Sequence, residues 1–397
     1  MYFDLFQDCL LTRRHPLYQE LHAHGSVLRG SAPMPEFGEC WYIIGYKEAL
    51  TVLRSDEFIH DRSKVSGSSP LSSFSGSARE FWGALVEWPL FMDPPQHTSK
   101  RLSLAHFFKE QSVLSLERFI EEECNSLLDR ALTGPEFDLM WDFAYPLTLA
   151  VTCKVIGIKM PDTVWFKQLA RTLADAMDFH AGEHEYKPAI HAVEELQRYL
   201  ANEITTASKG TLCASLAEQG MSIPEQTSLL MQLLFAGQET SADAIGNLML
   251  AMDHRRDLWL KVKNDNSLAS LICKESLRYD TSLQFSGIRT AAQDAILGKQ
   301  NIKKGDALII ASGACNQDPH YFDSPTIFKH ERDTSGPELT FGHGIHYCLG
   351  VHLARLELQI ALKCMTKRLP LSWHIHETVM RKNIVFHGPT ILRMSAS

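Results

Sequence analysis

The stretch Phe341-Gly342-His343-Gly344-Ile345-His346-Tyr347-Cys348-Leu349-Gly350 decides how the rest of this chain is read. Glycines punctuate a loop that ends in one cysteine. Beyond Cys348, apolar residues recur at Leu349, Leu353, Leu356 and Ile360, the spacing of a helix with one buried face. A thiol at a helix N-terminus meets unpaired backbone N–H groups and the positive end of the helix dipole. Both favour thiolate over thiol. The glycines, lacking a Cβ, let the backbone turn sharply and lie close to a flat ligand. Together these features describe a thiolate offered to a metal carried in a planar cofactor. The plainer reading is a buried cysteine capping a core helix. With nine cysteines in the chain, Cys-Leu-Gly alone says little; the ten-residue pattern is what argues against that reading.

The chain has 397 residues, 45% of them hydrophobic and 22% charged, ordinary for a globular protein with a large core. The net charge of -8 argues against general binding to nucleic acid or an anionic membrane. The cysteines are scattered and odd in number, without a C-x-x-C pair. That pattern fits free thiols in a reducing compartment, here the cytoplasm, rather than a disulfide framework. The N-terminus lacks a basic region followed by an apolar core, so no signal peptide is expected. No apolar run is long enough to span a bilayer, so no membrane anchor is expected either.

Strand-like runs lie around residues 40–44 and 307–310, and helical periodicity dominates elsewhere. The expected helices cover 112–132, 164–178, 189–207, 224–254, 267–279 and 349–369. This layout predicts a mainly helical single domain over 1–397, with β-containing parts near 40–60 and 283–312. A serine- and glycine-rich stretch from Ser63 to Ser77 reads at first as a linker. Val65, Leu71 and Phe74 interrupt it, and Phe81, Trp82, Trp88 and Phe91 follow. So many aromatics suit a mobile lid over an apolar pocket, spanning about 63–91.

The segment from Gln226 to Met252 is long and apolar, yet Ala236-Gly237-Gln238-Glu239-Thr240-Ser241 sits in its middle. A buried carboxylate is costly without partners, and a mid-helix glycine weakens the helix. The Thr240 hydroxyl can bond back to the Ala236 carbonyl and bend the helix. Local rules broken at one place are how functional sites often look. A helix exposed on one side, with Glu239 solvated, stays open as the alternative.

The cysteine stretch resembles the ligand loop of the cytochromes P-450, F-G-x-G-x-H-x-C-x-G, at every defined position. Leu353-Ala354-Arg355 continues it in the soluble bacterial style. The resemblance implies that fold, with haem b between the central helix and the cysteine loop. Cys348 would be the proximal iron ligand, pushing electron density that favours O–O cleavage. Phe341, Gly342, Gly344 and Gly350 would shape the loop beneath the cofactor. Ala236, Gly237, Glu239 and Thr240 match the family's oxygen-activation motif A-G-x-D/E-T. Thr240 would serve dioxygen through its hydroxyl, and Glu239 would pass protons inward from solvent. Glu275 and Arg278 match E-x-x-R, a structural pair that Arg332 joins.

Asp93-Pro94-Pro95-Gln96-His97-Thr98-Ser99-Lys100-Arg101 resembles the D-P-P-x-H-T-x-x-R helix start. By that resemblance His97, Arg101, Arg289 and His346 hold the haem propionates. Trp88, Leu234, Phe235, Leu283 and Phe285 would line the substrate pocket. Three positions depart from the family pattern: Ser282 for proline, Gln317 for arginine, and Glu338 for histidine. They bear on substrate and subfamily rather than on fold.

The implied activity is monooxygenation: one atom of O2 enters a small-to-medium apolar substrate and the other leaves as water. Secondary metabolism or catabolism is the expected setting. Electrons would come from NAD(P)H through a ferredoxin with its reductase, or a flavodoxin-type donor. The chain shows no G-x-G-x-x-G after a strand, so no flavin or nicotinamide of its own is expected. The donor is expected at Lys100, Arg101, Lys109 and Arg355, and the protein is expected to be a monomer. Two alternatives stand beside this: oxidative aryl or phenol coupling, or decarboxylation, on the same fold; and a haem sensor or carrier without chemistry.

Overall fold

The computed structural model describes residues 3, 9–32, 38–69, 71–332, 336 and 338–396. Twelve helices of nine residues or more lie among them. They are α1 (Arg14–His22), α2 (Tyr46–Arg54), α3 (Gly76–Leu85), α4 (Gln96–Ala105), α5 (Glu117–Ala131) and α6 (Tyr145–Ile156). There follow α7 (Thr163–Ala176), α8 (Glu183–Thr205), α9 (Ile223–Asp253), α10 (Arg256–Asn264), α11 (Ala269–Tyr279) and α12 (Val351–Arg368).

The strands are β1 (Val27–Ser31), β2 (Glu39–Ile43), β3 (Phe58–Ile59), β4 (Glu136–Asp138) and β5 (Ile288–Ala291). They continue with β6 (Ala295–Leu297), β7 (Gln300–Ile302), β8 (Ala307–Ile310), β9 (His374–Met380) and β10 (Pro389–Ser395). Five of them form one sheet in the order β1-β2-β8-β5-β3. β2 and β8 pair in parallel, Cys40 opposite Ala307 and Ile43 opposite Ile310. Ala307-Leu308-Ile309-Ile310 is buried at every residue, because both faces of that strand are covered. Leu308 and Ile310 face a small core with Ile43, Tyr46 and Phe58, whereas Ala307 and Ile309 face the large helical core.

The expected helices appear with ends shifted by a few residues, and the run 112–132 is interrupted before α5. The hairpin of β6 and β7 falls within the β-containing part expected near 283–312, whereas β1 and the sheet β4-β10-β9 lie outside the expected β regions. β4 is only three residues long and β9 is mostly exposed, so these two carry little hydrophobic signal.

α9 is the longest element, at 31 residues. Its start is a capping box: the Ser222 backbone N–H and hydroxyl both reach the Glu225 carboxylate, at 2.9 and 2.7 Å. Pro224 in the first turn suits the same boundary. α9 is apolar around most of its circumference because helices and strands enclose it; α6, α8, α11 and α12 all pack against it. No helix among the described residues is long and apolar enough to cross a membrane.

Candidate active site

Cys348 lies three residues ahead of α12. Its backbone N–H bonds the Phe341 carbonyl at 2.9 Å, closing the loop on itself. Gly344 is left-handed at φ 71°, and a Cβ there would fall 2.0 Å from the Leu53 carbonyl oxygen. Its glycine is therefore required by the loop's seat on α2, not by approach to a ligand. At Gly350 an added Cβ would meet no atom within 4 Å, so packing within the protein does not demand that glycine. Burial raises the Cys348 thiol above its ordinary value, against the Gly350 N–H and the charges of Arg101 and Arg355. The expectation that the helix start alone yields a thiolate is thus reversed. Deprotonation needs a further positive charge, which a coordinated metal supplies.

Beside this loop three histidines cluster. The His346 ring centroid lies 4.2 Å from those of His97 and His60. Arg289 on β5 reaches His60 Nδ1 at 3.2 Å, and Arg101 on α4 donates to the Tyr347 carbonyl. Arg289 is 4% exposed and forms no ion pair among the described residues. His60 Nε2, His97 Nδ1 and His346 Nε2 are buried without a hydrogen-bond partner there. Burial lowers the pKa of all three rings; the neighbouring Arg289 adds to this at His60 and His346, and Arg101 at His97. Buried donors and guanidinium groups without an anion fit a ligand that brings carboxylates. The residues present therefore fit the propionates of a haem.

In α9 the Thr240 hydroxyl donates to the Ala236 carbonyl at 2.7 Å. The helix nevertheless runs unbroken through this point. Gly237 is needed for packing, since a Cβ there would lie 2.8 Å from Thr152 Oγ1 on α6. Glu239 is fully buried, so the picture of a solvated carboxylate is excluded. Lys167 on α7 donates to its Oε1 at 2.7 Å, and Arg381, just after β9, donates to Oε2. Burial would raise this carboxyl, but Lys167 and Arg381 outweigh it and hold the pKa below the ordinary value. Arg381 also reaches Asp243, one turn along α9, at 3.3 Å. Burial pushes Asp243 up to about 6. On the other side, Glu357 of α12 hydrogen-bonds Ser241 with no cation beside it among the described residues, and burial pushes it up to about 8.

Rings line the space near α9. Phe235 contacts Trp88 and Phe386 at centroid separations of 6.0 and 5.7 Å. Trp82 meets Phe74 and Phe91, and Phe285 meets Phe179 at 5.4 Å. Leu283 pairs with Phe386 through an isolated bridge, and Leu234 is buried beside Phe235. Of the expected lid, Phe81, Leu85 and Trp88 are wholly buried, while most of the described residues in 63–69 and 71–73 are exposed.

Glu275 and Arg278 form a two-pronged pair at 2.7 and 2.8 Å, and Arg332 joins Glu275 at 3.3 Å. The departures are placed as well. Glu338 is buried against Arg355 at 2.9 Å. Gln317 bonds the Tyr279 carbonyl, and the Ser282 carbonyl accepts the His387 N–H.

Sequence reasoning missed His60, Lys167, Asp243, Glu357 and Arg381. Asp243 was within reach, since it stands four residues after Glu239 on the same helical face. The others carry no local signal and meet their partners only in the fold.

Residues 165–392 match the model of the Cytochrome P450 family. The monooxygenase PikC of Streptomyces venezuelae is 30% identical, over 90% of this chain and 84% of its own length. The biotin-biosynthesis cytochrome of Bacillus subtilis is 28% identical over 90% of this chain and 86% of its own. Among solved structures, P450BioI in complex with an acyl carrier protein ligated to hexadec-9Z-enoic acid superposes with a TM-score of 0.89. It covers 98% of this chain and 99% of that one, at 26% identity. The chain belongs to the cytochrome P-450 family, oxidoreductases of the monooxygenase class, and the family implies a haem cofactor.

Proposed function

We propose that this protein is a haem-thiolate monooxygenase with Cys348 as the iron ligand. It inserts one atom of O2 into a small-to-medium apolar substrate, in secondary metabolism or catabolism, within the cytoplasm. Electrons come from NAD(P)H through a separate ferredoxin or flavodoxin-type donor. The observation that carries this reading is the buried cradle of His60, His97, His346 and Arg289 beside the Cys348 loop, with ring nitrogens that find no partner among the described residues. When bound, the haem supplies the iron at which dioxygen is activated.

The chain's own residues do the rest. Arg289, Arg101, His97 and His346 anchor the propionates. Phe235, Phe386 and Trp88 exclude water and offer an apolar wall. Thr240 holds a hydroxyl at the point where α9 carries its polar residues, and its proton can be exchanged with an acceptor in the pocket. Glu239 is an anion tied down by two cations, so it must loosen from Lys167 before it can carry a proton to Thr240. The exposed residues of 63–69 and 71–73 form the mobile part of the lid, and the buried ring residues after them form its hinge side.

The reduced carbon monoxide complex tests the ligand: thiolate ligation gives a strongly red-shifted Soret band. A band typical of histidine ligation in folded protein overturns it. Thr240→Ala tests the relay. It should keep haem while most NAD(P)H consumed is recovered as hydrogen peroxide instead of product. Unchanged coupling removes Thr240 from the relay. A sensor or carrier would consume no NAD(P)H with surrogate redox proteins, and coupling chemistry would leave no isotopic oxygen in the product.

A further inference from the structure

His60 belongs to none of the motifs that mark the cofactor site, and it stands at the root of the lid, three residues before Ser63. Its backbone is fixed: the Asp93 carboxylate accepts the N–H of His60 at 3.0 Å and that of Asp61 at 2.8 Å. Its ring is fixed as well. Arg289 Nη1 lies 3.2 Å from His60 Nδ1, and a guanidinium only donates. Nδ1 is therefore the acceptor, and the ring proton sits on Nε2. That N–H is buried and has no acceptor among the described residues. The groups facing the ring are Arg289 from β5, His346 from the cysteine loop and His97 from α4. Asp93 lies behind it, already engaged with the backbone. None of these lies within hydrogen-bonding distance of Nε2–H, and His346 Nε2 and His97 Nδ1 are likewise unmatched among the described residues around the same space.

We infer that His60 Nε2–H donates to a haem propionate oxygen, as a binding residue beyond His97, Arg101, Arg289 and His346. This rests on the haem reading above. The role joins two parts of the molecule. The same carboxylate, Asp93, that orients His60 also holds Asp61 and pairs with Lys64 at 3.5 Å, where the lid begins. A haem held through His60 is thereby held by the lid's own root.

The test is haem transfer from the intact holoenzyme to apomyoglobin, for wild type, His60→Phe and His60→Gln. His60→Phe should release haem about tenfold faster or more, the scale of one hydrogen bond to a charged group. His60→Gln, which keeps a donor, should stay near wild type. The propionate bending band in the resonance Raman spectrum should move in His60→Phe and be restored in His60→Gln. His60→Leu, smaller than phenylalanine and without a donor, replaces the Phe variant if that side chain is not accommodated. Wild-type transfer and an unmoved band in the Phe or Leu variant overturn the role. So does equally fast loss from the Phe and Gln variants with the band unmoved, because His60 would then serve packing alone. A wild-type carbon monoxide complex without the red-shifted Soret band overturns the haem-thiolate reading itself; a normal one with no effect at His60 overturns only this inference.

Discussion

Two buried charge clusters in this protein use the same materials and differ in completeness. Around Glu275, every polar atom is matched. Arg278 gives two hydrogen bonds to the carboxylate and two to the Asn316 and Pro325 carbonyls, at 2.8 and 2.9 Å. The Lys329 N–H reaches Glu275 at 2.8 Å, and Arg332 also binds the Ile327 carbonyl at 2.9 Å. Around Glu239, two cations meet two carboxylates, but Asp243 Oδ2 and Arg381 Nε and Nη1 have no partner among the described residues. A saturated cluster has one arrangement and resists change. An unsaturated one has competing arrangements of similar energy, which is what a group that must pick up and release a proton requires. On the proposed function, the first cluster is scaffold and the second takes part in proton transfer.

The strongest way to break this comparison is Glu275→Ala. It strands Arg278 and Arg332 in the interior, and removing one partner of a buried pair costs roughly 3–5 kcal/mol. Little haem-replete protein should be recovered, and thermal unfolding of what remains should shift far down. A stable, haem-replete variant would show that the two clusters are not different in kind.

Lys167→Met should cost less, about 1.5–3 kcal/mol, because Arg381 still faces Glu239. Its more telling effect is on titration. Glu239 has a depressed folded pKa, so its ionised form contributes stability above the unfolded value that is lost as pH falls through the folded one. Without Lys167 the folded pKa rises, and that contribution is lost from a higher pH. Product formed per NAD(P)H should change its pH dependence in the same direction. An unaltered pH profile would mean that Lys167 only fills space.

Glu357 sharpens the contrast as a fourth buried carboxyl, with no cation beside it among the described residues. Its folded pKa of about 8 lies above the unfolded value, so the native state keeps a proton that the unfolded chain gives up. Stability should therefore fall as pH rises from about 4.5 to 8, by at most about 1.4 kcal/mol per pH unit from this group. Glu357→Gln should flatten that slope and leave stability near pH 5 almost unchanged. A slope identical to wild type would place the titration elsewhere.

The smallest effect concerns the proximal surface. Lys100, expected to steer an acidic donor, is tied to Glu87 at 2.8 Å, and Arg355 to Glu338. Lys109 is exposed and in no ion pair among the described residues. Lys109→Glu should slow electron delivery and weaken its salt dependence, and Lys100→Glu should do less. The opposite ranking would return the docking charge to Lys100.

Much of this protein was legible in its sequence, because the informative residues are local. Phe341 to Gly350 forms one loop, Ala236 to Thr240 one helical turn, and Glu275 with Arg278 one helix face. Such patterns survive as strings because the chemistry needs them at fixed spacing. Periodicity alone located the long helices, since burial of one face imposes it. The tertiary structure decided what those residues meet. It turned Glu239 from an open acid into an anion clamped by Lys167 and Arg381, which come from 72 positions earlier and 142 later. It placed His60 beside Arg289 across 229 positions, and buried Glu357 with no cation beside it among the described residues. The reason is physical: spacing along a chain sets which face a side chain occupies, but charge state depends on desolvation and on neighbours that only folding brings within a few ångströms.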